Sequence, residues 1–258
     1  MKPGFRFLIR LALLLLLLPA CGRGAVRQYG VAVVRTYPHD THAYTQGLFF
    51  HGGKLFESTG LYGSSSFREV DLESGRVLRR LDFGRRLFVE GSVVLGGELF
   101  ILTWQNHAVY VYDAVSLKFS RALSWPREGW GLTTDGRQLI ASDGSSRLWF
   151  LDRDLRVQRS VEVKLSGRPV RLLNELEWVD GKVWANVYTT DRIVIIDPGS
   201  GQVEGVVDAK GLLPDALRGP DTDVLNGIAR DAEGRIYLTG KNWPKLYQVR
   251  LVPKNNQP

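Results

Sequence analysis

Leu176-Glu177-Trp178-Val179-Asp180-Gly181-Lys182-Val183-Trp184-Ala185-Asn186-Val187 is the stretch that decides the fold. Two apolar runs flank Asp180-Gly181, and Gly accepts the positive φ that a tight hairpin turn needs. A third run, Ile193–Asp197, follows a polar loop, and a fourth, Gln202–Val207, follows that. Successive short strands with no helix-period stretch between them predict one small antiparallel sheet.

The same layout recurs along the chain. The turns are Gly52-Gly53, Gly96-Gly97, Asp135-Gly136, Asp180-Gly181 and Glu233-Gly234. The third strands read Phe67–Asp71, Val109–Asp113, Leu148–Asp152, Ile193–Asp197 and Leu246–Arg250. First strands begin near Gly47, Gly91, Gly131, Leu176 and Gly227, at spacings of 44, 40, 45 and 51 residues. A period near forty with four strands per unit is the signature of a propeller blade. The fifth unit ends after three strands. Val31–Tyr37, ahead of the first unit, is strand-like and has no partner of its own. The expected fold is therefore all-β: a five-bladed β-propeller whose last blade is completed by an N-terminal strand, which removes an open edge. A β-sandwich also has many short strands, but it does not call for five aligned copies.

The chain has 258 residues, 44% hydrophobic and 24% charged, ordinary values for a globular protein. One Cys excludes an intrachain disulfide, and four His without a CxxC pair argue against structural zinc. Lys2, Arg6 and Arg10 precede the unbroken apolar run Leu11–Leu18. That run is too short to span a bilayer and has the size of a signal-peptide core. Residues 1–20 hold three positive charges and no acid, so removing them lowers the formal charge of +7 by three. The remaining surplus is mild and spread out, which gives no reason to expect a nucleic-acid partner. Leu18-Pro19-Ala20-Cys21 resembles a bacterial lipobox, which implies lipidation of Cys21. The alternative is an ordinary secretory signal cleaved nearby. The expected organisation is a signal peptide at 1–20, a linker at 21–28 and a propeller at 29–258. The product would be an exported, periplasmic monomer tethered to the membrane through Cys21.

In a propeller, the start of each first strand and the end of each second strand meet at one mouth of the channel. Pairing about the turns opposes Gln46 to Gly60, Glu90 to Trp104, Trp130 to Asp143, Glu175 to Tyr188 and Asn226 to Lys241. Polar groups converging on large aromatics are the expected form of a small-ligand pocket. Glu90, between Phe88-Val89 and Gly91, would lose solvation there, and desolvation raises an acid's pKa. Such a group both accepts and delivers a proton near neutral pH. The competing reading is a carboxylate satisfied by backbone N–H groups. Trp149, Trp178 and Trp184 read as core residues. Asn226, Asp143 and Glu175 read as structural. Asp221 and Asp223 are too few for a calcium site.

At these positions the chain resembles the plant and bacterial glutaminyl-peptide cyclotransferases. The likeness runs over roughly residues 37–250. It rests on His39-Asp40-Thr41-His42-Ala43-Tyr44-Thr45-Gln46-Gly47-Leu48, Glu57-Ser58-Thr59-Gly60-Leu61-Tyr62-Gly63 and Glu128-Gly129-Trp130-Gly131-Leu132-Thr133, with Leu173-Asn174-Glu175-Leu176-Glu177 and Leu225-Asn226-Gly227-Ile228-Ala229. Leu102-Thr103-Trp104-Gln105 and Thr239-Gly240-Lys241-Asn242-Trp243-Pro244 also fit. The resemblance implies a five-bladed propeller that cyclises the N-terminal Gln of peptides or proteins to 5-oxoproline and releases ammonia. It implies no metal and no cofactor. Glu90, in Phe88-Val89-Glu90-Gly91, corresponds to the family's catalytic Glu and would shuttle the proton. Lys241 would polarise the γ-carbonyl oxygen. Asn174 and Gln46 would hydrogen-bond the substrate, and Trp104, Trp130, Tyr188 and Tyr44 would wall the pocket. Two alternatives come from other classes: a non-catalytic exported propeller that binds peptides, and a metal-dependent propeller hydrolase.

Overall fold

The computed structural model describes residues 25–254. The leader, Cys21 and the start of the linker lie outside the described residues. The strands are β1 (Arg27–Pro38), β2 (Thr45–His51), β3 (Lys54–Thr59), β4 (Ser66–Val70), β5 (Val77–Asp82), β6 (Val89–Leu95), β7 (Glu98–Thr103) and β8 (Ala108–Asp113). They continue with β9 (Phe119–Ser124), β10 (Leu132–Thr134), β11 (Leu139–Ala141), β12 (Arg147–Leu151), β13 (Val157–Glu162), β14 (Lys164–Leu165) and β15 (Arg168–Pro169). The last are β16 (Leu173–Val179), β17 (Lys182–Val187), β18 (Arg192–Ile196), β19 (Val203–Asp208), β20 (Leu225–Arg230), β21 (Ile236–Gly240) and β22 (Lys245–Pro253). Among the described residues, helix is limited to a 3-10 turn, Asp215–Leu217.

Three four-stranded antiparallel sheets follow in chain order, β2-β3-β4-β5, β6-β7-β8-β9 and β10-β11-β12-β13. β14 and β15 form a two-stranded hairpin, and the other strands form an eight-stranded sheet, β16-β17-β18-β19-β1-β22-β21-β20. Its halves are joined through β1, which pairs antiparallel with β22 along Tyr29–Pro38. Arg27–Gly30 also pairs parallel with Gly205–Asp208 of β19. That second pairing starts the strand two residues inside the stretch read as linker.

The sheets are arranged in a ring, a propeller-like architecture. β2 packs on β6, β6 on β10, β10 on β16, β16 on β20, and β20 on β2. Period-two apolar residues on both faces of each sheet make this possible. Phe49, Phe56 and Phe67 of the first sheet stack, and they pack against Val94, Leu99 and Ile101 of the second. Leu102 and Val111 of the second meet Leu132 and Leu139 of the third. Leu48 and Leu55 of the first sheet close the circle against Tyr37, Tyr237 and Leu246 of the last. Each such side chain contributes about 1.5–3 kcal/mol on full burial. Inner strands such as β6 are buried throughout, whereas the outer strands β5 and β9 are largely exposed.

Inner strands converge so tightly near their starts that a side chain does not fit at Gly91 or Gly131. A Cβ on Gly91 would lie 2.5 Å from the Leu132 backbone nitrogen, and one on Gly131 would collide with the Asn174 carbonyl oxygen.

Candidate active site

A β-bulge opens each inner strand. In β2, Thr45 pairs with Thr59 and Gly47 with Ser58, which leaves Gln46 as the extra residue. In β6, Val89 pairs with Thr103 and Ser92 with Ile101, so Glu90-Gly91 oppose Leu102 alone. Asn174-Glu175 in β16 and Asn226-Gly227 in β20 repeat the pattern. In the third sheet, the Trp130 N–H donates to the Ser142 carbonyl at 3.2 Å, and the Ser142 N–H donates to the Gly131 carbonyl at 3.0 Å. An extra residue bends the strand and re-aims a side chain.

The bulges correct the opposed pairs expected from turn counting. Trp104 N–H donates to the carbonyl of Phe88, not of Glu90, at 2.9 Å. Gly60 pairs in the same way with Tyr44, Tyr188 with Leu172 and Lys241 with Val224. Each second strand thus ends opposite a residue two positions ahead of the bulge. The unpaired residue of the bulge accounts for one position of the offset, and the register set at the hairpin turn for the rest.

The bulges and strand ends enclose a cavity of about 210 Å³. Its polar lining is Gln46, Glu90, Asn174 and Lys241, and its aromatic lining includes Tyr44, Trp104, Trp130 and Tyr188. All eight residues singled out from the sequence therefore meet in one place. Phe88 also lines it and was not singled out. The signal for Phe88 was available, since period-two alternation puts it on the same side of the strand as Glu90. Its ring fills the space over Gly60, where a Cβ would collide with it.

The Gln46 Nε2 donates to Glu90 Oε1 at 3.1 Å. Gln46 is itself held by Asn226, whose Nδ2 donates to the Thr45 carbonyl at 2.9 Å and to Gln46 Oε1 at 3.3 Å. Ser58 Oγ donates to the Glu90 carbonyl at 2.7 Å and fixes the backbone there. Glu90 is 5% exposed. Burial pushes its carboxyl well above the usual range. The positive charge of Lys241 opposes that rise, and the negative charge of Glu128 adds to it.

Lys241 is buried, and burial lowers its ammonium pKa, against the pull of Glu90 and Asp223. Its Nζ lies 4.7 Å from the Tyr44 ring centroid and 4.9 Å from that of Tyr188. Aromatic faces thus partly replace its lost water. Tyr44 donates its hydroxyl to Asp223 at 3.0 Å. Burial, then Asp223, hold that phenol protonated. Trp130 packs edge-on to Tyr188 at 5.6 Å. The Asn174 side chain is buried, and its Oδ1 has no hydrogen-bond partner.

Glu128 lies two residues ahead of Trp130, a position to which the sequence alone assigns no task. Its Oε2 accepts from the indoles of both Trp104, at 2.9 Å, and Trp130, at 3.0 Å. Burial alone would raise its pKa, yet bonds from Trp130, Gln105 and Trp104 hold it below the usual carboxylate range. It is therefore ionised at neutral pH.

The remaining candidates sit outside the cavity. Glu175 is buried and accepts from the backbone N–H groups of Leu48 and Ile228, on other inner strands. Asp143 accepts from Trp149 Nε1 at 2.9 Å and from Ser145. Trp184 is buried as expected. Trp149 and Trp178 are partly buried and pack against the cores between the sheets, at their margins. Trp149 is also covered by the Arg127 guanidinium, 3.7 Å from its ring centroid. Trp125 and Trp243 are fully buried. Among the described residues, no group of three or more His, Cys, Asp or Glu is arranged to hold a metal.

Known proteins resemble this chain in sequence and in fold. A family model described as glutamine cyclotransferase matches residues 9–251. A glutaminyl-peptide cyclotransferase of Arabidopsis thaliana is 44% identical over 231 residues, covering 86% of this chain and 71% of the relative. The crystal structure of Myxococcus xanthus glutaminyl cyclase matches with a TM-score of 0.83 at 37% identity, over 89% of this chain and 100% of that one. A streptogramin B lyase structure is similar in fold alone, with a TM-score of 0.51 at 10% identity, over 84% of this chain and 98% of the other.

Proposed function

The chain belongs to the glutamine cyclotransferase family, and from that premise we propose that it is a glutaminyl-peptide cyclotransferase that converts N-terminal Gln of peptides and proteins to 5-oxoproline, with Glu90 as the proton shuttle. The observation that carries the proposal is the buried Glu90 carboxyl beside Lys241 in an aromatic-walled cavity.

The nucleophile and the electrophile belong to one residue of substrate. Ring closure needs a bent conformer held in place, and the aromatic walls supply that restraint while excluding water. The neutral α-amine attacks the γ-carboxamide carbon, and the C–N bond of the ring forms. The charge that develops on the γ-oxygen is stabilised by the Lys241 ammonium. Glu90, protonated through burial, gives its proton to the departing amide nitrogen. The C–N bond to that nitrogen breaks and ammonia leaves. The resulting Glu90 carboxylate takes the surplus proton from the ring nitrogen and returns to its starting state. Gln46 holds one Glu90 oxygen during both transfers. The unpartnered Asn174 Oδ1 is available to accept from the substrate's own N–H groups.

The same reading extends to the whole molecule. The ring of inner strands corresponds to a five-bladed propeller, with β1 as outer strand of the last blade, a pairing with β22 that supports the reading. Residues 1–20 are an export signal, Cys21 the lipidation site, and the domain from 29 onward a periplasmic monomer tethered to the membrane. The lipobox-like Leu18-Pro19-Ala20-Cys21 supports that assignment.

The test is ammonia release from a Gln-initiated dipeptide by the wild type and by Glu90→Gln, with chelator present. Activity that survives chelator and falls by about 10²–10⁴ in a folded Glu90→Gln variant is expected. Full activity in that variant removes Glu90 as the shuttle. No activity in the folded wild type favours a propeller that binds peptides without turnover.

A further inference from the structure

The cavity takes little more than one Gln residue, so the rest of a peptide leaves through the mouth. Two features of that mouth have no part in cyclisation. Leu61 is 39% exposed and sits at φ 86°. Tyr62, next to it, is 51% exposed. A left-handed backbone costs a residue with a Cβ roughly 1–2 kcal/mol. Asn or Asp offsets part of that through its side chain, and Leu does not. Exposing the Leu side chain adds a further cost. Backbone strain held in place by its surroundings concentrates at functional sites.

The surroundings do hold it. The Leu61 carbonyl accepts from Ser64 N–H at 3.2 Å and from Ser65 Oγ at 2.8 Å. Ser65 Oγ in turn accepts from the N–H of Val89, the residue before Glu90, at 3.0 Å. The loop is therefore fixed to the strand that carries the acid. The Tyr62 ring lies 5.4 Å from Phe88 and 6.5 Å from Trp104, both of which line the cavity. Tyr62 thus continues the aromatic wall outward onto the surface, with exposed Leu61 next to it in the chain.

We infer that Leu61 and Tyr62 form the subsite for the second residue of the peptide and select an apolar or aromatic side chain there. The inference rests on the cyclotransferase reading and adds the substrate class. An apolar side chain in that place covers the exposed faces of both residues and is removed from water itself. A small or charged second residue gains nothing from the shelf.

The experiment compares kcat/KM for Gln-Phe amide and Gln-Gly amide in the wild type, Leu61→Asn, Tyr62→Ser and Leu172→Asn. Leu172 is the control: it is 40% exposed at φ 60°, and it is tied to Gly144 and Tyr188 across the mouth. The wild type is expected to favour Gln-Phe by about tenfold, the scale of a modest apolar contact. Leu61→Asn and Tyr62→Ser should each cut that ratio severalfold and leave Gln-Gly turnover unchanged. Leu61→Asn should not lower the melting temperature, because Asn tolerates the left-handed backbone. A ratio unmoved in both variants overturns the inference, as does an equal fall for both peptides or a ratio that moves only with Leu172→Asn. A folded wild type that cyclises neither peptide overturns the cyclotransferase reading, and the subsite with it.

Discussion

Trp104 and Trp130, from neighbouring sheets, donate their indole N–H groups to one oxygen, Glu128 Oε2, at 2.9 and 3.0 Å. Two walls of the cavity are thus fixed by a single carboxylate. Its charge also acts on Glu90 and disfavours the ionised form there. Glu128 therefore sets both the shape of the pocket and the proton affinity of its acid.

Glu128→Ala should lower kcat/KM by about tenfold or more, because displaced walls cost catalysis even when the reacting groups remain. Glu128→Gln should retain most of the geometry, since its amide oxygen still accepts both indoles. It should nonetheless move the alkaline limb of kcat/KM, set by loss of the Glu90 proton, to lower pH. The sign follows from removing a negative charge that opposes ionisation of Glu90. An unshifted limb in Glu128→Gln would show that the carboxylate acts on the walls alone.

Much of the site could be read from the chain because short motifs fall once per repeat, each at the same strand start. Gln46, Glu90, Trp130 and Asn174 were found that way, and they do converge. Their pairing partners were not found. Neither the register of the hairpin turn nor a bulge leaves a reliable mark in an apolar strand; each shifts the pairing by one residue, so Glu90 is expected against Trp104 and lies against Leu102. Nor did the sequence give Glu128 a task. A carboxylate two residues from Trp130 looks like a solvated loop acid until the fold brings Trp104 to it. The same limit hid the parallel pairing of Arg27–Gly30 with β19, which depends on where the last sheet ends.

A second prediction concerns pH and stability. Burial pushes the Glu177 carboxyl up to about 8, against hydrogen bonds from the Arg230 and Trp178 backbone and the Thr133 hydroxyl. Burial and the neighbouring Glu177 also raise Glu175. The folded protein keeps protons that the unfolded chain releases from pH 4.5 upward. Stability from this source is fully present below that pH and is lost as pH rises through the folded value near 8. Each such group contributes a slope of up to ~1.4 kcal/mol per pH unit across the window. Urea unfolding between pH 5 and pH 8 should therefore show falling stability in the wild type. Glu177→Gln should give a shallower decline. Parallel curves for the two proteins would mean that Glu177 titrates normally in the folded state.

The third prediction tests the close approach of the inner strands. A Cβ at Gly131 collides with the Asn174 carbonyl and stands 2.8 Å from the Leu176 side chain. The carbonyl belongs to a bulge and accepts from the Ser142 hydroxyl at 2.7 Å, so relieving the collision breaks that bond or shifts the strand. Gly131→Ala should cost about 1–3 kcal/mol in urea unfolding, the range for overpacking a filled core. It should also reduce turnover, because Asn174 and Trp130 flank the displaced backbone. Gly84→Ala is the matched control. No atom lies within 4 Å of a Cβ there and the backbone is not left-handed. That substitution should be neutral or stabilising by roughly 0.4–1 kcal/mol, through reduced freedom of the unfolded chain. Equal stability of the two variants would mean that the inner strands separate easily. The bulged residues would then not be held tightly enough to define the cavity.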